Sequence, residues 1–524
     1  MRLNLKPVFL FIMSLLLLSS GMGRTRNITV DSGLLNDRVN PSRGKMIHMT
    51  PRTLISDYRE AAIMPGLGTE NGFAPTWQVN DIMTDSVDLG WINEYGSGTM
   101  PSTDVLTGIA TDAAGNVYVT GNSDFQLLTM KYDASGALQW SQTYTEDGIV
   151  DTYGDDVKVD DAGNVYVSGY RWSPFIDSDI LVIKYNPSGV QQWVAEYAGE
   201  GQNNDFPNAM ALDSAGNIFI GGYSYSAAVE ADFATLKFDS DGNLLWDMLF
   251  NGEAWADDWI TDITLDDSGN VYVAGITAGE TTNNDYGVLK YSSDGAEIWS
   301  TQFDGITGTD VATSIAIDNQ GQTYVTGVSQ YYDDYFDYYT LKLDSAGAEI
   351  WGIRWGVSGE GDSWASDIVV DDSLNVTVTG LSYQGLYGFD YVTIQWDSSG
   401  TVSWASGYTN NLFGGYDEAT ALMLDSENNV IVTGVTESDN QTTDIVTVKY
   451  DTAGVELWSS LYDGGEGVDD AAFYLALDSN DEILVGGTAS SISNLENYSI
   501  VKYQADGTES WNAQYDGPGN SLDL

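Results

Sequence analysis

Beyond about residue 104, apolar and polar positions alternate in runs of six to eight residues, each run closed by Gly, Asp, Asn or Ser. Alternation at period two sends successive side chains to opposite faces, so these runs predict half-buried strands. The stretch from Asp310 to Trp355 shows the order: "VATSIAI", "QTYVTGV", "DYYTLKL" and "AEIWGIRW" follow one another as four strands. Two of the three connections are Asp-x-x-Gly turns, Asp318 to Gly321 and Asp344 to Gly347. In such turns Asp bonds the backbone ahead of it and Gly takes positive φ. Two hairpins sharing a middle pairing make one antiparallel meander.

The unit recurs eight times. The first turn opens on Asp112, Asp160, Asp213, Asp266, Asp318, Asp371, Asp425 and Asp478, and the fourth strand carries Trp140, Trp193, Trp246, Trp299, Trp351, Trp404, Trp458 and Trp511. Successive tryptophans are 53, 53, 53, 52, 53, 54 and 53 residues apart. A lone four-stranded sheet exposes two apolar faces, whereas sheets stacked radially bury them against one another. The expectation is an all-β chain forming a single β-propeller of eight four-stranded antiparallel blades over residues 87–524. A ninth Trp strand, "WINEY" at Trp91, predicts a ring closed by exchange. In that scheme a strand from one terminus completes a blade begun at the other, and "WINEY" and "WNAQY" at Trp511 compete for the place.

Four residues after each Trp stands another aromatic, from Tyr144 and Tyr197 to Tyr462 and Tyr515. Positions i and i+4 share a strand face. One role must serve every copy, so these pairs are expected to wedge between neighbouring blades rather than to stack a ligand.

Residues 1–23 place Arg2 and Lys6 before an apolar core and then small residues, the pattern of a secretory signal peptide. No later stretch is long and apolar enough for a membrane-spanning helix. Residues 24–86, with Pro41, Pro51, Pro65 and Pro75 and no repeat mark, read as a linker or lead-in segment. The expected location is outside the cytoplasm: secreted, periplasmic or at the cell surface.

The chain has 77 acidic and 19 basic residues, a formal charge of −58. Nine of the basic residues precede Ala61, so the repeat region is more acidic still. Such a charge repels phosphates and argues against a nucleic-acid partner. Seven of the ten remaining basic residues occupy one position: Lys131, Lys184, Lys237, Lys290, Lys342, Lys449 and Lys502, with Gln395 in the sixth unit. A Lys at the end of a two-sided inner strand needs partners, and the hairpin-turn carboxylates at Asp318 and its equivalents are the expected ones.

The opposite rim is predicted to gather a second acidic series. Asp104, Asp205, Asp258, Asp310, Asp417 and Asp470 recur where one unit joins the next, with Thr152 and Ser363 at the other two junctions. Asp179, Asp232, Asp285, Asp337, Asp390 and Asp444 begin the third strands. Both connections emerge on one face, a concentration of hard oxygen ligands suited to Ca2+. Asp258, Asp310, Asp417 and Asp470 are the candidate ligands. Turn capping is the competing role.

There is no Cys, and the sole His is His48. A Cys nucleophile, a His general base and a His or Cys zinc site are therefore excluded from the repeats, as are disulfides. Carboxylate chemistry remains open.

The motifs "DxxGNVYVTG" and "TLKYDxxGxxxW" resemble the bacterial SBBP β-propeller repeat of secreted and surface proteins, over about four fifths of the chain. That family is known as architecture, and its name implies seven blades where eight copies stand here. The segment "YDASGALQW" also resembles the tryptophan-docking motif of eight-bladed quinoprotein dehydrogenases and of the related outer-membrane assembly propeller. The quinone of those enzymes typically stacks on a vicinal disulfide, which this chain cannot form.

Two functions follow. One is a non-catalytic scaffold binding an extracellular glycan or protein; the alternative is a carboxylate-dependent glycoside hydrolase or lyase, which needs an off-pattern pair of carboxylates. Loops joining the second and third strands are the part that does not repeat, and four are rich in aromatics. Trp172, Tyr225, Tyr331, Tyr332, Tyr335, Tyr383 and Tyr387 are the candidate ligand-binding residues.

Overall fold

The computed structural model describes residues 104–515 apart from 147–149, 174–175, 200–202, 226–229, 253–256, 280–283, 306–307, 331–334, 357–360, 386–387, 410–414, 439–441, 466–467 and 491–495. Trp91, the signal-peptide and linker expectations, and Tyr331, Tyr332 and Tyr387 lie outside the described residues. The described chain is all-β, with thirty-two strands and no α-helix. In the unit beginning at Asp310 the strands are β17 (Asp310–Ile317), β18 (Thr323–Gln330), β19 (Phe336–Leu343) and β20 (Glu349–Trp355). Each lies within two residues of the reading from sequence. Each unit, numbered 1 to 8 in chain order, pairs its strands antiparallel in sequence order.

Six units are separate four-stranded sheets. Units 6 and 7 are fused into one eight-stranded sheet, because β23 (Gly388–Trp396) runs beside β25 (Gly415–Leu424) at Gly388↔Gly415 and Phe389↔Tyr416. Glycines at one of the two pairs let the backbones approach.

The first turn of each unit is built by its Asp. In all eight, Oδ1 accepts the N–H groups two and four residues on, at 2.8–3.1 Å. The residue three after the Asp has positive φ: Gly in five units, but Leu374 (65°), Asn428 (61°) and Asp481 (57°) in the last three. Such a φ crowds Cβ against the backbone, and Asn and Asp bear it better than Leu.

The apolar core sits between successive sheets. Tyr272, Tyr286, Val288 and Trp299 of unit 4, for example, pack on Ala312, Ile315, Val325 and Leu341 of unit 5. Each Trp also docks on the second turn of the unit ahead. Trp193 Nε1 donates to Ser240 O at 3.2 Å, and a Cβ on Gly242 would fall 2.8 Å from the Trp193 ring. The same hydrogen bond forms from Trp140, Trp246, Trp299, Trp351, Trp458 and Trp511. The second turn therefore needs Gly twice over, for a φ between 78° and 89° and for the ring lying on it.

Closure of the ring differs from expectation. Unit 1 (Val105 to Tyr144) and unit 8 (Asp470 to Tyr515) are each complete from consecutive strands, so neither borrows one. They meet through side chains. Trp511 Nε1 donates to Ala134 O at 3.1 Å, Thr111 Oγ1 to Leu477 O at 2.7 Å, and Leu106, Ile109 and Val119 share a core with Leu484, Tyr498 and Ile500. This holds for the described residues, and the competing strand at Trp91 lies outside them.

The recurring Lys is partnered in two ways. Lys502, fully buried, contacts Asp478 at 2.9 Å and Glu482 at 2.8 Å, and Lys449 contacts Asp425 at 2.8 Å, as the turn-carboxylate reading requires. Lys290 lies 3.9 Å from Asp266. Elsewhere the main partner is a carbonyl of the next unit: Lys184, Lys237 and Lys342 donate to Ser240 O, Ser293 O and Ser398 O. Those are the oxygens that accept the Trp indoles. The same ammonium groups sit 4.8–5.0 Å from the ring centres of Tyr166, Phe219 and Tyr324, a cation–π arrangement. The carbonyl and the ring thus take up most of the role assigned to Asp318.

Two predictions follow from these contacts. Replacing Leu374 by Gly removes left-handed strain at the cost of unfolded-state entropy, and is expected to raise stability by up to about 1 kcal/mol, with Asn428→Gly close to neutral. Chemical denaturation of both variants checks the ordering. Lys502→Met strands two carboxylates and should cost about 3–5 kcal/mol. Lys342→Met loses a charged hydrogen bond and a ring contact, about 1–3 kcal/mol. Lys158→Met, at a half-buried surface pair with Asp156, should fall below both in thermal melts.

Candidate functional site

The variable connections, second to third strand and unit to unit, leave the sheets on one rim. Three groups of side chains gather there or along the first strands: junction carboxylates, aromatic rings and an inner-strand carboxylate pair.

The junction carboxylates are buried. Asp205, Asp258, Asp310, Asp417 and Asp470 have no exposed surface, and most close the loop before them. Gly199 N–H donates to Asp205 at 2.6 Å, Gly252 to Asp258 at 2.7 Å, Gly305 to Asp310 at 2.6 Å and Gly464 to Asp470 at 2.6 Å. Thr152 Oγ1 fills the place by donating to Tyr144 O at 2.7 Å. The capping role thus applies at these five junctions, whereas Asp417 and Ser363 bond Thr436 and Ser382 on the second strand. Burial raises these groups: Asp258 and Asp470 to about 7, Asp205 and Asp310 to about 6, against the backbone N–H bonds that lower them. Asp390 and Asp444, at third-strand starts, are likewise raised by burial to about 6.

Of the four expected Ca2+ ligands, the structure brings Asp310 and Asp470 into three-carboxylate groups, Asp285–Asp304–Asp310 and Asp444–Asp463–Asp470, with one oxygen from each within 4.8 Å of the others. These groups could hold a metal ion. Asp258 and Asp417 join no such group among the described residues. Asp258 is occupied by Gly252 N–H and Ala278 N–H, and Asp417 by the Thr436 hydroxyl at 2.5 Å. Asp304 and Asp463 escaped the sequence reading. Their signal is an Asp directly after the fourth-strand aromatic, Phe303 or Tyr462.

Among the expected ligand-binding rings, Tyr335 is 38% exposed. Trp172 is half-buried. Tyr225 packs 5.9 Å from Tyr223 and Tyr383 lies 5.4 Å from Phe389, both half-buried. Among the described residues these four share no ring contact with one another. A continuous arc runs beside them instead: Tyr153 on Tyr170 (4.9 Å), Tyr170 on Phe206 (5.0 Å), Phe206 on Tyr223 (5.2 Å) and Tyr223 on Trp259 (6.4 Å). It crosses units 2, 3 and 4. Tyr170, Phe206 and Tyr223 keep part of their surface in solvent, while Tyr153 and Trp259 are buried. Its signal was an aromatic directly after Thr152, Asp205 and Asp258, residues read only for their oxygens. Beside it Arg171 is bonded to Asp179 and lies 3.3 Å from Glu196 and 3.6 Å from Glu146.

The first strands adjoin one another around the ring, and each carries an irregularity. In unit 5 the register shifts between Ala312 and Ser314, and the bulged Thr313 donates to Ala365 O of the next unit at 3.0 Å. Asn208 and Thr420 reach ahead in the same way. One place along, Ser314 Oγ lies 2.9 Å from Asp262 and 3.0 Å from Asp367, and those carboxylates also accept Ile315 N–H and Leu422 N–H from the units ahead. Burial, then the charge of Asp367 among the causes, raises Asp262 to about 6. A hydroxyl has one proton for two carboxylates, so this trio ties three units together while holding excess negative charge.

A pH dependence follows. A carboxyl whose folded pKa lies above its unfolded value near 3.8 binds more protons folded, so its contribution falls as pH rises between the two values. Stability in chelator is expected to increase as pH falls from 8 toward 5. It should drop again below about 4, where turn carboxylates such as Asp112 and Asp425, held low by hydrogen bonds that outweigh burial, become protonated. Thermal melts at fixed ionic strength check the shape, and Asp470→Asn should flatten its upper limb.

Comparison with known proteins adds the following. The family model "SBBP: Beta-propeller repeat" matches residues 91–128, 192–227 and 252–287, about a fifth of the chain. No curated protein matches. Similar solved structures include a eukaryotic initiation factor at 10% identity (81% of this chain, 92% of that one, TM-score 0.44). Another is the β-propeller domain of the trilobed protease from Pyrococcus furiosus at 9% identity (70% and 99%, TM-score 0.41). A third is a family PL25 ulvan lyase at 12% identity (68% and 92%, TM-score 0.40). The segment 252–287 begins just after the fourth strand of unit 3 and runs into the third strand of unit 4, one repeat of the recurring unit. The chain thus carries segments that match the SBBP β-propeller repeat, within an all-β fold of repeated four-stranded antiparallel meanders.

Proposed function

We propose that the chain is an eight-bladed propeller, secreted or held at a cell surface, that serves as a non-catalytic scaffold binding an extracellular glycan or protein on its loop rim. The blade number is supported by the succession of first strands, each beside the next, with unit 8 returning to unit 1. The fusion of units 6 and 7 rests on two residue pairs and leaves both meanders intact. Hard-cation binding at the rim, Ca2+ first, belongs to the same reading.

One observation carries the binding role: the arc of five rings over three units, with Tyr170, Phe206 and Tyr223 half-exposed and acceptor groups around them. Rings of this kind offer flat apolar faces to sugar C–H surfaces or protein side chains at small conformational cost. Lys, turn Asp and docking Trp recur because blade packing demands them. The arc is confined to units 2 to 4 and has no equivalent demand behind it. The acid-base alternative lacks support of that kind, since the strongly raised carboxyls Asp258 and Asp470 occupy equivalent junctions and close loops there.

A glycan array and a pull-down from extracellular matrix, using the chain without residues 1–23, are expected to identify a ligand. Tyr170→Ala and Tyr223→Ala should then weaken binding at least about tenfold, near 1.4 kcal/mol. Circular dichroism controls for folding. Folded variants that bind as tightly as the parent would place the site elsewhere, with Tyr335→Ala the next to test.

A further inference from the structure

The Asp444 junction between units 7 and 8 gathers three carboxylates. Asp444 is 6% exposed, yet among the described residues no hydrogen bond and no cation reaches its carboxylate. Its charged neighbours are Asp463 and Asp469, both acidic. Asp463 and Asp470 bring their oxygens to within 4.8 Å of it. Asp470 is fully buried, its oxygens turned toward Gly464 N–H (2.6 Å) and Ser490 N–H (3.2 Å). Exposed Asp463 closes the group from the solvent side, with Gly465 N–H on one oxygen at 3.0 Å.

A carboxylate buried to this degree normally has a partner, because desolvation without one costs several kcal/mol. Here two acidic groups face it instead. Protonation can relieve part of the cost, but it leaves a carboxyl oxygen still turned toward two others. The related group at Asp310 meets the demand differently: Arg354 lowers the Asp310 carboxyl electrostatically, donates to Ser329, and lies 3.4 Å from Asp337. Unit 8 has Gln514 where unit 5 has Arg354, and its amide is spent on Gly464 O and the Tyr462 hydroxyl. Among the described residues no cation therefore serves the Asp444 group.

We propose that Asp444, Asp463 and Asp470 bind a hard divalent cation, Ca2+ in preference to Mg2+, and that it locks unit 7 to unit 8. Carboxylate-only ligation excludes a soft-metal preference. Oxygens separated by up to 4.8 Å fit the longer bonds and looser geometry of Ca2+ better than the tight octahedron of Mg2+. Waters complete the coordination from the side of Asp463. The proposal deepens the cation part of the preceding reading and is independent of its glycan or protein ligand, so loss of either leaves the other standing.

The test uses the chain without residues 1–23, stripped with chelator and titrated at pH 7.5 and fixed ionic strength. Calorimetry should show a calcium site, with magnesium at least about tenfold weaker, and calcium should raise the melting temperature. Asp463→Asn keeps shape and removes charge. It should abolish the calcium-dependent rise while melting at or above the parent in chelator, because repulsion is relieved; a purely structural Asp463 would give a lower melt in both conditions. Asp304→Asn should leave the calcium response in place. A parent chain whose melting temperature is the same in chelator and millimolar calcium overturns the proposal, as does an Asp463→Asn variant that keeps the full rise.

Discussion

The architecture depends on the contact between each indole and the turn ahead of it. In seven of the eight units the Trp on the outer strand reaches forward, gives its N–H to a turn carbonyl and lies on a glycine that can have no side chain, while Trp404 keeps the ring contact without that hydrogen bond. In four units the Lys ammonium reaches the same carbonyl from the inner side of the sheet. One oxygen thus fixes the spacing of two sheets at the rim, while the apolar layers fill the space behind it. The contact pairs an indole N–H and lays a large ring over the turn at once, which explains why the Trp–turn pair recurs with so little drift in period.

This arrangement also governs where the charge goes. The repeats contain ten basic residues, and seven lie at the sheet interior, bound to carbonyls, rings and turn carboxylates. Two more, Arg171 and Arg354, are engaged with acidic neighbours on the rim. Little positive charge remains to balance the surface carboxylates. The field outside the ring is therefore strongly negative, attractive to small cations and to neutral surfaces, and hostile to polyanions.

Much of this was legible in the residues. Strand positions, turn chemistry and the docking Trp follow from alternation and a period that repeats, because each is a local rule or one enforced eight times. The joining of units 6 and 7 was not legible, since it rests on backbone approach at Gly388 and Gly415 with no pattern to announce it. Lys342 was assigned to Asp318 because opposite charges were the visible partners. A carbonyl 56 residues away has no signature in a string of side chains. The aromatic arc was missed for a related reason: Tyr153, Phe206 and Trp259 sit beside conspicuous oxygens, and only the curvature of the ring makes them neighbours. Asp304 and Asp463 occur in too few units to register as a motif.

Closure by docking has a consequence for how the chain can be cut. The seam between units 8 and 1 uses the same indole, carbonyl and apolar layer as the junctions that a connecting loop also spans. Among the described residues no strand crosses it. The location of the termini is then one choice among several equivalent ones, and a chain reopened at another junction, with its old ends tethered, meets the same set of contacts. The ring is in this respect a closed repeat array. Its length is counted in whole units, and gain or loss of a unit alters curvature at every junction a little rather than breaking any one of them.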